Sequence, residues 1–166
     1  VTFGLLSGAV VAVMMSLTVP FAEQIGFDRS IVVGYTTIVI SMLFVYFGVR
    51  SYRDNVLGGQ MTFGRAFQAG LLIAVISSVC YVVAWLILFY GFMPDFADRY
   101  AAYTVDSVRA GGGSQADIDA ALKDADNAKR MLANPLINAA VAFIEPLPVG
   151  LLVALISAAV LKRRSP

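Results

Sequence analysis

The chain has 166 residues, 59% hydrophobic and 14% charged, with a formal net charge of +1. Soluble domains carry roughly a quarter charged residues, so this sequence has too little polar material to clothe a water-exposed surface. It contains no histidine and one cysteine, Cys80. That excludes an internal disulfide, a thiolate metal cluster, Cys–His or Ser–His catalysis, and a histidine-based zinc peptidase centre.

Four apolar runs fill most of the chain: Phe3–Phe21, Ile31–Val49, Gly70–Phe89 and Ala139–Leu161. A hydrocarbon core ~30 Å thick needs ~20 helical residues at ~1.5 Å rise, so each run can cross a bilayer. The expectation is an all-α membrane protein, a four-transmembrane-helix bundle forming a single membrane domain over 1–166, with spans near 3–22, 31–49, 68–90 and 137–161. The first run resembles a signal sequence in length. It lacks a basic n-region, and Glu23–Phe27 offers no small-x-small cleavage site, so it reads as a retained span. Pro20 falls near its end, where few backbone hydrogen bonds are lost.

The turn that follows carries Glu23, Asp28 and Arg29, net −1. The second span stops at Arg50, and the linker beyond it holds Arg50, Arg53 and Arg65 against Asp54, net +2. Gly58 and Gly59 mark a turn there; no Lys-Ser/Thr follows, so this is no phosphate loop. The third span ends among Trp85, Phe89, Tyr90 and Phe92. The fourth ends at Leu161 and runs directly into KRRSP, with a side-chain charge of +3. With four spans, both basic segments fall on one side. The positive-inside rule places them, and both termini, in the cytoplasm. Gly91–Asn134 is then outside, with seven Asp against five Lys or Arg.

That outer segment reads as a helical hairpin over 95–133 inserted between spans three and four. A helix starts after Pro94 with Asp95 as a plausible cap, and Phe96, Tyr100 and Tyr103 form one aromatic stripe. Gly111–Gly113 end it. Ser114 and Asp117 have the spacing of a capping box for a second helix from about Gln115 to Leu132. The stripe either covers the bundle or docks a partner. Asp117, Asp119, Asp124 and Asp126 lack the loop of a calcium site and read as a solvated face. Asn134-Pro135 restarts the chain before span four.

Glu145 is the polar residue that stands out. Sixteen residues separate it from Leu161, which is ~24 Å of helix. That puts it just inside the outer boundary, not at the midplane. An ionisable side chain within a span is costly, and Pro146 and Pro148 beside it can bend or unwind the helix and free carbonyls. A carboxylate beside a broken helix can bind a cation or take up a proton. The plainer alternative is an interfacial glutamate paired with Arg29, Arg99 or Arg130. At the inner end, Arg50, Tyr52, Arg53 and Asp54 form RSYRD, either a docking site for a partner or anionic lipid headgroup, or a stop-transfer anchor.

Small residues recur at four-residue spacing: Gly4 and Gly8, Ala66, Gly70 and Ala74, Gly150, Ala154 and Ala158. They let helices approach closely and argue for a compact bundle, with a face available for self-association. Partners expected from this pattern are membrane lipids, a second copy, or another membrane protein met through small-residue faces or the outer hairpin. No nucleic acid is expected, because the basic residues are few and sit at membrane boundaries. No nucleotide or haem motif occurs, and no cofactor is expected.

The opening GLLSG, YFGVRSYRD, TFGRAFQAGLLI, PDFADRYAAY and the closing NPLINAAVAFIEPLPVGLLVALISAAVLKRR together resemble a family of bacterial four-span membrane proteins, the domain of unknown function numbered 4199. The resemblance covers essentially the whole chain. It implies four spans and an inner-membrane location, and brings no activity or catalytic residues. The functional expectation is therefore a non-enzymatic accessory or structural subunit. The alternative is a small ion-coupled or small-molecule transporter using Glu145 as an oligomer. An intramembrane enzyme is disfavoured, since Glu145 is the one carboxylate in the spans.

Overall fold

The computed structural model describes residues 1–163. Four of its helical segments are long and apolar enough to cross a membrane: Thr2–Phe21, Phe27–Asn55, Phe63–Gly91 and Pro135–Leu161. The first is α1 (Thr2–Thr18) continued by a 3₁₀ turn, Val19–Phe21, and followed by the one-turn helix α2 (Ala22–Ile25). The second and third are α3 (Phe27–Asn55) and α4 (Phe63–Gly91). The hairpin is α5 (Phe96–Ala110) and α6 (Gln115–Ala133), and the fourth segment is split into α7 (Pro135–Ile144) and α8 (Leu147–Leu161).

The helices run past the apolar runs because polar residues continue the turns. α3 extends through Arg50 to Asn55, where Tyr52 accepts the closing backbone bond from Val56. α4 starts at Phe63 because the Thr62 side chain caps the Arg65 amide. α6 begins with the complete capping box expected at Ser114 and Asp117. α7 begins at Pro135, with the Asn134 side chain accepting from the amides of Leu136 and Ile137. Asp95 departs from expectation. It stands at the cap position of α5 but makes no capping bond, and its carboxylate instead takes Arg99 at 2.6 Å.

Packing inverts the pattern of a soluble domain. Small residues face inward: Gly4, Ser7 and Gly8 of α1, Ala66, Gly70 and Ala74 of α4, and Gly150, Ala154 and Ala158 of α8 are all buried. Large side chains such as Leu5, Leu43, Leu72, Val83, Leu152 and Val160 are exposed. Lipid is as apolar as leucine, so burial of leucine gains little there, and close backbone approach supplies the packing. At Gly150, a Cβ would lie 2.8 Å from Ala74 Cβ, so α8 meets α4 with no space for a side chain. At the α1–α3–α4 crossing, the buried Ser7 hydroxyl donates to the Ser41 carbonyl at 2.8 Å and meets the Ser77 hydroxyl at 2.7 Å. The small-residue faces are therefore occupied within the chain. A self-association surface would have to lie on the large-residue exterior.

α4 is the central helix, packed against α1, α3, α7 and α8. α8 also packs along α3, whereas α7 rests mainly on α4. The hairpin has its own seam, with Ala101 and Val105 of α5 against Ala121 and Ala125 of α6. It lies at the end of the bundle formed by the start of α3 and the end of α4, seated on Phe27. The ring of Phe27 is 4.8 Å from Tyr103, 5.8 Å from Tyr100 and 6.3 Å from Phe96. Phe96 also meets Trp85 edge-on at 5.5 Å. The aromatic stripe thus covers the bundle.

Candidate functional site

Pro146 has no amide hydrogen, and neither has Pro148, so the ladder of the fourth segment is interrupted at Glu145–Pro146. The backbone nevertheless stays in the helical region at both residues. The segment is interrupted without unwinding, and α7 and α8 take different neighbours. Where α7 leaves α3, a cavity of about 330 Å³ remains under the hairpin.

Residues of seven helices, α1 to α7, and of the 3₁₀ turn line this cavity. Val11 and Met15 come from α1, Tyr35 and Ile38 from α3, and Tyr81 and Trp85 from α4. Phe96 and Tyr100 of α5 form its roof, and Asn138, Val141 and Ala142 of α7, with Glu145 at the C-terminal end of that helix, form one wall. The lining is mostly apolar. Among the described residues it includes no lysine or arginine, and Glu145 is its carboxylate. Ile31 and Tyr35 on one side and Val141 on the other are exposed.

Two polar links cross the cavity wall. The Tyr81 hydroxyl donates to Glu145 Oε2 at 2.6 Å. One helical turn further along α4, the Trp85 indole N–H donates to Asn138 Oδ1 at 2.8 Å. Asn138 is fully buried, and its amide donates to the Leu132 carbonyl at 3.1 Å. Tyr90 donates to that same carbonyl at 2.9 Å. Leu132 is near the end of α6, where carbonyls lack helical partners. The Asn138 network therefore fastens the end of the hairpin to α4. A buried amide that satisfies several partners is expensive to disturb.

Glu145 is half-buried in this wall. Among the described residues its partner is the Tyr81 phenol, and it forms no ion pair with Arg29, Arg99 or Arg130. Pro146 is fully buried, while Pro148 is exposed. Tyr100 lines the cavity and Tyr103 seats on Phe27, so both are turned onto the bundle. The Asp28 carboxylate beside the Tyr103 hydroxyl pushes that phenol above its ordinary range.

RSYRD is far from this site, at the other end of α3, and it divides in two. Arg53 is largely covered; it donates to Asp54 at 2.6 Å and reaches the Leu161 carbonyl at 3.5 Å. A guanidinium at the end of α8 suits the partial negative charge of a helix C-terminus. Met61 and Arg163 exchange two backbone hydrogen bonds beside it, at 3.1 and 2.9 Å, joining the linker to the tail. Arg50 and Tyr52 face outward. Of the basic tail, Arg164, Ser165 and Pro166 lie outside the described residues.

Tyr81, Trp85, Asn138 and Phe27 are the site residues that sequence reasoning passed over. A signal existed for three of them. Tyr81 and Trp85 are four apart on one face of α4, and Asn138 precedes Glu145 by seven residues, two turns along the same face. Phe27 carried no such signal.

Fold and site together define a multi-pass membrane protein, an all-helical bundle with a covered cavity at one end and no recognisable catalytic constellation among its described residues. The chain belongs to the family described as Protein of unknown function (DUF4199), which matches residues 2–163. No curated protein matches it. No solved structure matches it either.

Proposed function

We propose that this protein is a non-enzymatic subunit of the bacterial inner membrane, with both termini cytoplasmic and the hairpin outside, that acts by holding a membrane-dissolved molecule. The single observation that carries this reading is the mostly apolar cavity roofed by Phe96 and Tyr100, with the Tyr81–Glu145 pair in its wall. Pockets of ~300–1,000 Å³ with a few placed polar groups are the usual form of a small-molecule site. Native mass spectrometry of the protein extracted in a mild uncharged detergent tests it. A stoichiometric small molecule retained by the unaltered chain and lost on Tyr100→Ala supports the reading. A chain that emerges bare under conditions that preserve its fold counts against it.

A second reading is an ion-coupled carrier working as an oligomer. Glu145 favours it, being a carboxylate in the cavity wall at the Pro146 interruption, where a helix can change its neighbours. Flux into proteoliposomes of the unaltered chain and of Glu145→Gln tests it. Equal flux in the two removes Glu145 from transport.

A further inference from the structure

We propose that the cavity selects a hydrophobic organic cation, its charge beside Glu145 and its apolar body among the aromatic side chains. This rests on the ligand-holding reading above and names the ligand's class. Three observations point the same way. The lining contributes a carboxylate and, among the described residues, no basic side chain. The carboxylate is already fixed at one oxygen by the Tyr81 hydroxyl, which leaves its other oxygen, Oε1, with no hydrogen bond among the described residues. Tyr35, Tyr81, Trp85, Phe96 and Tyr100 all line the same space.

The chemistry of that set is selective. Aromatic rings attract a cation through their quadrupole, and the attraction strengthens where water is excluded. A carboxylate in an apolar wall repels an anion and leaves a neutral ligand no charge partner. A small inorganic cation would need several oxygen ligands to replace its hydration shell. Among the described residues no group of three His, Cys, Asp or Glu side chains is placed to hold such an ion, and Glu145 is the one carboxylate of the lining. An alkylated ammonium is weakly hydrated, so rings can replace its water, and it fits where a metal ion does not.

The chain's one tryptophan, Trp85, lines the cavity and so reports its occupancy. The full chain in an uncharged maltoside micelle is titrated with benzyltrimethylammonium and, separately, with neopentylbenzene, its neutral carbon analogue. The expected result is a saturable change in Trp85 emission with the cation, at about ten-fold or more lower concentration than with the neutral analogue. Glu145→Gln should abolish that preference, and Glu145→Asp should keep part of it. Equal responses to the two compounds overturn the cation assignment while leaving the ligand-holding reading intact. Preference for the cation that persists in Glu145→Gln overturns it as well. No saturable response to either compound overturns it too, and the mass-spectrometric test then decides the broader reading independently. The comparison of the two compounds uses the unaltered chain, so it stands even if a variant fails to fold.

Discussion

Tyr81 and Glu145 stand 64 residues apart in the chain, and the phenol of one donates to the carboxylate of the other at 2.6 Å. The bond ties α4 to the junction of α7 and α8, where the backbone ladder of the fourth segment is interrupted. It is thus a structural clasp and part of the cavity wall at once.

Breaking the clasp from one side should differ from breaking it from the other. Tyr81→Phe leaves the carboxylate without its donor and is expected to cost about 1 kcal/mol, the usual scale of an interhelical hydrogen bond in a membrane protein. Glu145→Gln keeps an oxygen that accepts from Tyr81, so it should cost less. The two changes together should cost less than their sum. Reversible unfolding in mixed micelles measures all three. Strict additivity, or a silent Tyr81→Phe, would remove the clasp from the account of stability.

The α4–α8 contact predicts a sharp contrast between two glycines. Gly150→Leu forces a side chain against Ala74 and should destabilise the bundle by about 1–3 kcal/mol. Gly64 has open space around its missing Cβ in the first turn of α4. Gly64→Ala should leave stability unchanged or raise it by up to about 1 kcal/mol, through helix propensity alone. Thermal unfolding of the two variants side by side gives the answer, and equal effects would argue against the close approach.

Alkali should release the hairpin before the bundle unfolds. Lys129 is raised above its ordinary 10.5 mainly by its hydrogen bond to Asp98, with which it forms a 2.8 Å ion pair joining α6 to α5. Tyr103 is raised above its ordinary 10.0 mainly by Asp28, which joins α5 to α3. Both groups are raised in the folded protein, so their contributions are complete below the unfolded values and are lost as pH climbs through the folded ones. The Trp85–Phe96 contact makes tryptophan emission the readout. A transition above about pH 10 that shifts downward in Asp28→Asn is expected. A featureless profile to the onset of global unfolding would show that these contacts do not hold the hairpin.

Asp117 gives the opposite sign at the acid end. Ser114, through its side chain and its backbone amide, holds this carboxyl below its ordinary range. A depressed carboxyl adds stability above the unfolded value and loses it as pH falls through the folded one. Hydrogen exchange at the first turn of α6 should therefore quicken on acidification, after correction for the intrinsic rate, and Ser114→Ala should quicken it already at neutral pH.

The orientation is open to direct labelling. On a Cys80→Ser background, Ala116→Cys, exposed in the first turn of α6, should react with an impermeant maleimide added to intact spheroplasts. Gln60→Cys in the α3–α4 linker should react only after lysis. The reverse pattern would invert the assigned topology.

Span number, the Ser114–Asp117 capping box and the restart at Asn134-Pro135 were legible in the sequence because they are local, whereas the cap expected at Asp95 is not made and the one at Thr62 was not read. Apolar length sets what can cross a bilayer, and the side chains of Ser114 and Asn134 meet amides two or three residues away. The aromatic stripe of α5 was legible too, since its spacing is a property of one helix. What covers that stripe was not, because Phe27 is brought under it by the path of the chain and carries no periodic mark of its own. Glu145 announced itself as a carboxylate in an apolar run, yet its partner did not. Arginine, the obvious partner by charge, lies elsewhere, and a tyrosine on α4 reaches it only once α4 has packed on α7. The small residues of α1, α4 and α8 argued for a compact bundle and left a face available for a second copy. Tertiary packing placed them inside, since close helix approach is what stabilises a bundle whose large side chains gain nothing by leaving lipid. Sequence alone therefore determined that four apolar helices form and where the second hairpin helix is capped. Only tertiary structure decided that α7 leaves α3, that a cavity lies in the gap, and that Glu145 faces it with Tyr81, because each depends on which distant surfaces are brought together.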